Sequence, residues 1–306
     1  MSASRARKGF GGTRGQRGDS PPPELPEYLR RMGLQPRKAL GQNFLIDELA
    51  LGTIADACLL DDESTVLEIG AGPGGLTEEL ARRAGHVVAV ELDEELAALA
   101  RDRLAGAPGV CVIAADILDF TPEELLAECE LAPPYVACGN LPYYITQPIV
   151  RRLLEAEQPP TRIVVMAQRE VARRLVGGEG RESLISMTVR CYGTAEQVLD
   201  LPATAFWPAP KVQSTVIRIE MLPEPRLPRE DLPRLFHLLR AAFTEPRKQL
   251  HNTLRSALDL PRDETMTMLE AAEIDPARRA QHLDLDDWQR LLASVDDRQP
   301  GLLDAG

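Results

Sequence analysis

Val66-Leu67-Glu68-Ile69-Gly70-Ala71-Gly72-Pro73-Gly74-Gly75-Leu76-Thr77 decides how this chain is read. An apolar run ends in a glycine cluster, after which Leu76, Leu80 and Ala84 recur at helical spacing. That is the pattern of a strand, a tight turn and a helix. Glycines in such a turn let the backbone approach a nucleotide-like ligand closely, and the helix start offers free N–H groups.

From Ser64 onward, strands and helices alternate. Strands are predicted near Ser64–Ile69, His86–Glu91, Val110–Ala114, Tyr135–Cys138 and Arg162–Ala167. Helices are predicted at Gly75–Ala84, Asp93–Leu104 and Thr146–Glu155, and Thr121-Pro122-Glu123-Glu124 fits a capping box with Pro at the first helical position. Short apolar strands separated by helices imply an α/β fold with a parallel sheet covered on both faces. Ligands of such sheets sit beyond the carboxyl ends of the strands. Glu68, Gly70, Glu91, Asp116 and Asn140 all fall at or near predicted strand ends, so one sheet would gather them at one edge.

Two ligands fit the glycine loop. Gly70, Gly72 and Gly75 satisfy the dinucleotide fingerprint GxGxxG, and Glu91 could hold ribose hydroxyls in either case. Glu68 and Pro73 favour the second ligand, because E-x-G-x-G-P-G resembles the cofactor loop of S-adenosylmethionine methyltransferases.

Upstream, residues 1–24 are rich in Gly, Arg, Ser and Pro and are expected to form a disordered basic tail. A short helix over Leu25–Met32 precedes Gln42 and Asn43, a polar pair suited to hydrogen bonding in a loop, and Asp47 is placed to cap a helix to Leu60. Downstream, helices at Gln168–Val176 and Glu182–Tyr192 lead to strands at Ala195–Leu201 and Lys211–Glu220. The strands are joined by the stiff Phe206-Trp207-Pro208-Ala209-Pro210 loop. Pro223, Pro225 and Pro228 mark a linker. Every later pattern is helical, at Asp231–Phe243, Pro246–Leu258, Asp263–Glu273 and Asp284–Ser294. The expected division is the tail, an α/β domain over 25–222 and an all-helical domain over 223–306.

With 306 residues, 44% of them hydrophobic, the chain has ample core for this plan. No apolar run approaches the roughly 20 residues that span a bilayer, and no signal-peptide pattern opens the chain, so a cytoplasmic protein off the membrane is expected. The five cysteines are scattered without a C-x-x-C pair. They are therefore expected to be small buried residues with no disulfide and no metal site. The net charge of −12 argues against a general nucleic-acid binder, and it is uneven: nine Lys or Arg face three acids up to Asn43, leaving −18 on the remainder. Contacts with RNA must then rest on local patches.

Asn140-Leu141-Pro142-Tyr143 follows the fourth predicted strand. The exocyclic amine of a base is a poor nucleophile because its lone pair is delocalised into the ring. Acceptors on its two hydrogens, here the Asn140 side-chain oxygen and the Leu141 carbonyl, can free that pair. Pro142 would fix the turn and Tyr143 would stack on the base.

Together Lys38–Leu45, Glu68–Thr77, Asp116, Asn140–Tyr143, Gln168–Leu175, Phe206–Ser214 and Arg247–Leu254 resemble the ribosomal RNA adenine dimethyltransferases, and among them the small-subunit branch. The resemblance runs from about Pro26 to Leu292. It implies a Rossmann-like S-adenosylmethionine methyltransferase domain with a small all-helical C-terminal domain. The implied reaction is N6-dimethylation of two adjacent adenosines in a hairpin near the 3′ end of small-subunit rRNA, coupled to subunit biogenesis. It also implies S-adenosylmethionine as the cofactor, rRNA of the small subunit or its precursor as the partner, no metal, and a monomer. Carried over by position, Asn43, Leu45, Glu68, Gly70, Gly72, Glu91, Asp116, Ile117 and Asn140 form the cofactor set. Glu91 takes the ribose hydroxyls and Asp116 the adenine amino group. Asn140, Leu141, Pro142, Tyr143 and Phe206 form the catalytic set, with Phe206 closing over the flipped base opposite Tyr143. Arg169, Arg173, Lys211, Arg247, Lys248 and Arg255 are candidate phosphate contacts.

Tyr144, Arg181-Glu182 and His251 depart from the family pattern and bear on the substrate side. Two rival readings stand: an Erm-type enzyme acting on large-subunit rRNA, and a non-catalytic assembly factor that keeps the fold. The long helical tail and the Lys38–Asn43 opening favour the small-subunit enzyme over the first. The intact Asn140–Tyr143 and Glu91 speak against the second.

Overall fold

The computed structural model describes residues 25, 27–31, 33, 36–37, 42–142, 145–178 and 181–304. The expected basic tail, Tyr143 and Tyr144 lie outside the described residues. The N-terminal part runs through α1 (Glu27–Arg31), β1 (Phe44–Leu45), α2 (Glu48–Ala57), β2 (Thr65–Ile69), α3 (Gly75–Ala81) and β3 (His86–Glu91). Next come α4 (Glu94–Leu104), β4 (Val110–Ala114), α5 (Pro122–Glu128), β5 (Val136–Asn140), α6 (Thr146–Leu154) and β6 (Arg162–Gln168). Then follow α7 (Arg169–Val176), α8 (Leu184–Tyr192), β7 (Gly193–Leu201), β8 (Phe206–Trp207) and β9 (Ser214–Met221). Four helices end the chain: α9 (Leu232–Phe243), α10 (Leu250–Ala257), α11 (Arg262–Ala271) and α12 (Leu285–Arg298).

Seven strands form one sheet in the order β4-β3-β2-β5-β6-β9-β7. The first five pair in parallel, with Glu68 level with both Ala89 and Cys138. Because side chains alternate across a strand, each strand feeds two cores. Val66, Val136, Cys138, Val164, Met166 and Val216 pack with Leu51, Ile54 and Leu80 on one face. Leu67, Ala137, Ile163, Val165, Ile217 and Ile219 pack on the other, with Leu153, Leu175 and Met187. Strands buried on both sides read as continuous apolar runs, which is why helix and strand could be told apart here mainly by length and punctuation.

The sheet is not wholly parallel. β9 lies between β6 and β7 and runs antiparallel to both, with Gln168 level with Ser214 and Leu201 level with Ser214. An interior position explains its mixed faces: Ser214 and Thr215 are buried, and the Thr215 hydroxyl donates to Asp200 Oδ1 at 2.5 Å. The helix expected from Pro246 begins only at Leu250, whose N–H is taken by the Arg278 carbonyl (2.8 Å), and the last helix runs on to Arg298. The caps expected at Asp47 and Thr121 form, the second as a full capping box. The expectation of no disulfide is corrected: Cys111 on β4 and Cys129 at the end of α5 are joined, while Cys58, Cys138 and Cys191 are free and buried. Isolated spacing carried no sign of that pair because β4 and α5 meet only in the folded chain.

The C-terminal helices share the second core. Leu235, Leu239, Trp288 and Leu292 belong to the same cluster as Leu67, and the Tyr192 and Phe236 rings lie 6.2 Å apart. Among the described residues no helix is long and apolar enough to cross a membrane, and no group of His, Cys, Asp or Glu could hold a metal ion.

Gly139 carries the tightest approach near the site. A Cβ there would lie 2.3 Å from the Ile69 carbonyl oxygen and 3.2 Å from Leu141 Cδ2. Gly139→Ala must therefore push β5 away from β2, at an expected cost of about 1–3 kcal/mol. Urea unfolding of the variant checks this, and an unchanged midpoint would mean that the two strands have slack.

Candidate functional site

The chain lays down β2, β3 and β4 outward in one direction and then returns to place β5 on the other side of β2. At such a reversal the loops leaving the two central strands diverge and open a crevice at their carboxyl ends. A cavity lies there, between Gly70 after β2 and Asn140 at the end of β5.

The glycine loop is fastened to β3: Gly70 N and Ala71 N both donate to the Val90 carbonyl, at 2.8 and 3.2 Å. Gly70 has φ +78°, and a side chain there would meet the Asn140 carbonyl at 3.3 Å, so bare backbone faces the cavity. Glu91 ends β3 with its carboxylate nearly buried. Oε2 accepts from Gly72 N (2.8 Å) and Oε1 from Asp93 N (3.0 Å). Burial holds this carboxyl above its ordinary range, against the two N–H donors. Asp116 and Ile117 follow β4 into the cavity wall, with Asp116 Oδ1 accepting from Leu118 N at 2.9 Å.

The opposite wall comes from the N-terminal segment. Gln42, Asn43, Phe44 and Leu45 line the cavity, with β1 held antiparallel to β8. Asn140 Nδ2 donates to the Asn43 carbonyl at 3.2 Å. Only the amide nitrogen can serve a carbonyl, so this bond fixes the side chain's orientation and leaves Oδ1 as an acceptor. The Pro142 carbonyl is used by the turn, accepting from Ile145 N (3.1 Å) and Thr146 Oγ1 (3.2 Å). Leu141 is buried beside it.

Of the expected cofactor set, the cavity thus gathers Asn43, Leu45, Gly70, Gly72, Glu91, Asp116, Ile117 and Asn140. Glu68 is not among its lining. It sits beneath the loop, 1% exposed, with Oε2 and the neighbouring Thr77 hydroxyl making no well-formed hydrogen bond. Burial pushes its carboxyl up to about 7. The Thr77 hydroxyl favours the ionised form and the charge of Glu91 disfavours it.

The placement of Phe206 is a correction. Its ring is fully buried among Leu45, Val164 and Met166, because pairing with Leu45 across β1 and β8 turns it into the core, so no face is open to a base. The cavity shows an aromatic the sequence reading left without a role. Phe44 stands against Gly72, 3.5 Å from where a Cβ would be. Its signal was present in Asn43-Phe44-Leu45, but only pairing in space could show which way the ring points.

On the substrate side, Arg173, Lys211, Arg247 and Arg255 are exposed. Arg169 instead pairs with Asp200 (3.5 Å) and Gln213, and Lys248 with Glu245 (2.7 Å). Glu182 lies outside the lining of the Gly70–Asn140 cavity. Its carboxylate takes Gly178 N (2.9 Å), Ser186 Oγ (2.7 Å) and Arg190 Nη2 (2.8 Å), anchoring the start of α8. His251 Nδ1 meets the Pro276 carbonyl at 2.9 Å and ties α10 to the turn after α11.

The residues fit S-adenosylmethionine. A bare glycine cradle suits its amino-acid part, the Glu91 carboxylate its ribose, Asp116 an adenine amino group, and Leu96, Ile145 and Ile149 give apolar walls.

The chain is similar to known proteins over most of its length. The family pattern described as ribosomal RNA adenine dimethylase matches residues 33–297. Ribosomal RNA small subunit methyltransferase A of Dehalococcoides mccartyi strain CBDB1 is 40% identical over 267 residues, covering 87% of this chain and 90% of its own. The protein of the same name from Geobacillus thermodenitrificans is 39% identical, with 88% and 94% covered. Among solved structures, the 23S rRNA methyltransferase ErmE superposes with a TM-score of 0.66 at 31% identity, over 83% of this chain and 99% of that one. A dimethyladenosine transferase from Plasmodium falciparum reaches 0.71 at 23% identity, over 83% and 98%, a likeness of fold.

Two outcomes follow from the burial of these side chains. The proton on Glu68 stabilises the fold fully below the unfolded value of 4.5, and that contribution is lost as pH rises through about 7. Glu68→Gln should therefore gain on the native chain across this window, by up to roughly 3 kcal/mol near pH 8. Unfolding midpoints near pH 5 and near pH 8 read it, and a difference that does not change with pH would clear Glu68. Phe206→Ala should cost ~3–5 kcal/mol of stability as a core cavity. Calorimetric melting measures this, and a melting point within a degree or two of the native protein's would show that the ring is not core.

Proposed function

The chain belongs to the ribosomal RNA adenine dimethylase family, and we propose that it is the enzyme of that family that acts on the small ribosomal subunit. In this reading it uses S-adenosylmethionine to dimethylate N6 of two adjacent adenosines in a hairpin near the 3′ end of small-subunit rRNA, as a step of subunit biogenesis. The observation that carries it is Asn140: its Nδ2 is committed to the Asn43 carbonyl, which leaves Oδ1 as an acceptor on a residue that lines the cavity together with Gly70. The relatives that share about 40% identity over most of both chains carry a small-subunit name, which favours this branch over the large-subunit enzyme at 31%.

When bound, S-adenosylmethionine supplies a methyl group already activated by its sulfonium. The chain's residues prepare the acceptor. Asn140 Oδ1 and the Leu141 carbonyl accept hydrogen bonds from the two N–H groups of the adenine amine and free its lone pair from the ring, and the one proton displaced by the methyl group leaves to water. The Pro142 turn holds these two acceptors in one place. Glu91, preset by two backbone N–H donors, keeps lone pairs for ribose hydroxyls, and Asp116 selects an adenine amino group. Arg173, Lys211, Arg247 and Arg255 serve RNA phosphate, each a local cation on an acidic body.

Asn140→Ala should lower single-turnover methylation of unmethylated small subunits by about two to three decades, the worth of a positioned acceptor on developing charge. Methylation within about threefold of native would refute the role. Offered each ribosomal subunit separately with labelled cofactor, the native protein should label the small one alone. Label on the large subunit would assign the Erm-type reaction, and label on neither would assign a non-catalytic factor. Calorimetry should show S-adenosylmethionine binding and no NAD binding.

A further inference from the structure

We propose that Asp93, acting through Gln42 and Arg37, is a positioning residue for the cavity: it pins the N-terminal wall to the loop that holds Glu91. The proposal rests on the reading of the cavity as an S-adenosylmethionine site. Asp93 caps α4, and for that work it needs one oxygen: Oδ1 accepts from Glu95 N at 3.1 Å. The other oxygen is used differently. Oδ2 accepts from Gln42 Nε2 at 3.2 Å and faces Arg37 Nη1 at 3.2 Å, partners that lie some fifty residues upstream. The Asp93 side chain is 3% exposed, whereas that of Arg37 is 48% exposed and also meets Glu95 at 3.0 Å.

Gln42 is engaged at both ends. Its Oε1 accepts from Arg37 N at 2.7 Å, which leaves Nε2 to donate to Asp93. On the far side, the Asp93 N–H donates to Glu91 Oε1 at 3.0 Å, and Glu91 Oε2 takes Gly72 N at 2.8 Å. One line of contacts therefore crosses from the wall at Gln42, through Asp93 and Glu91, to the glycine loop. Capping explains the Oδ1 bond and nothing beyond it. The second oxygen, buried under two donors from a different segment, sets how far the wall stands from Glu91, and so the width of the ribose end of the cavity.

The test exchanges the two polar groups. Asp93→Asn keeps a good cap but turns a donor toward Gln42 Nε2, and Gln42→Glu sets two carboxylates face to face. Each single variant should raise the Kd and the KM for S-adenosylmethionine roughly tenfold, the size of a lost charge-assisted hydrogen bond. At the same time kcat should stay within about twofold of native, and any fall in the unfolding midpoint should be reversed together with the affinity in the exchange variant. The double variant Gln42→Glu, Asp93→Asn restores a donor facing an acceptor and leaves Arg37 a carboxylate to pair with, so it should return to within about threefold of native. Native affinity in both single variants would overturn the proposal. So would an affinity loss that follows the loss of folding stability and is not rescued by the exchange. If the native protein itself failed to bind S-adenosylmethionine, the cavity reading would fall and this one with it.

Discussion

The backbones of β2 and β5 come together at their carboxyl ends more closely than any side chain at Gly139 would permit, and the site hangs on that approach. It places the glycine loop after β2 and the Asn140 turn after β5 on either side of one crevice. Every other cavity element is set against this pair. The N-terminal segment closes from one side, its Asn43 carbonyl accepting from Asn140 Nδ2, and β3 closes from the other by holding the loop on the Val90 carbonyl. The orientation of Asn140 is thus a tertiary property. Its amide is aimed by a residue 97 positions away in the chain.

Much of this was legible in the sequence, and the reason is physical. β2, β3, β5 and β6 are buried on both faces and the edge strand β4 is half-buried, so they read as short apolar runs. The turns that matter need residue types that cannot be disguised: bare glycine at Gly70, a proline at Pro142, a cap at Thr121. Residues at strand ends converge in any parallel sheet, so Glu91, Asp116 and Asn140 are gathered by the order of strands in the sequence. What could not be read depends on which strands become neighbours. The burial of Phe206 follows from its pairing with Leu45, and the exposure of Phe44 to the cavity follows from the same two-stranded ladder. Glu68 was placed correctly along the chain yet lies one layer too deep, because alternation puts it on the sheet face under the loop. The Cys111–Cys129 bond likewise required knowing that α5 packs back beside β4.

Electrostatically the site runs against the solvent-exposed body around it. Two carboxylates, Glu68 and Glu91, are held out of water close to each other, and burial raises both. A buried acid without a cation costs stability. The exposed acids elsewhere carry no such cost.

The insertion of β9 between β6 and β7 also sets a schedule for synthesis. β7 leaves the ribosome first, and among the described residues its ladder is with β9, so residues 193–201 are not fully paired until Met221 has been made. Over the same interval β6 is an open edge of an otherwise finished parallel sheet. Unpaired edges of that kind invite pairing with other chains. The second core, too, stays uncovered until α9 and α12 bring Phe236 and Trp288 to it. A nascent chain halted between β6 and β9 would expose both liabilities at once, although its crevice would already be complete on the β2, β3 and β5 sides.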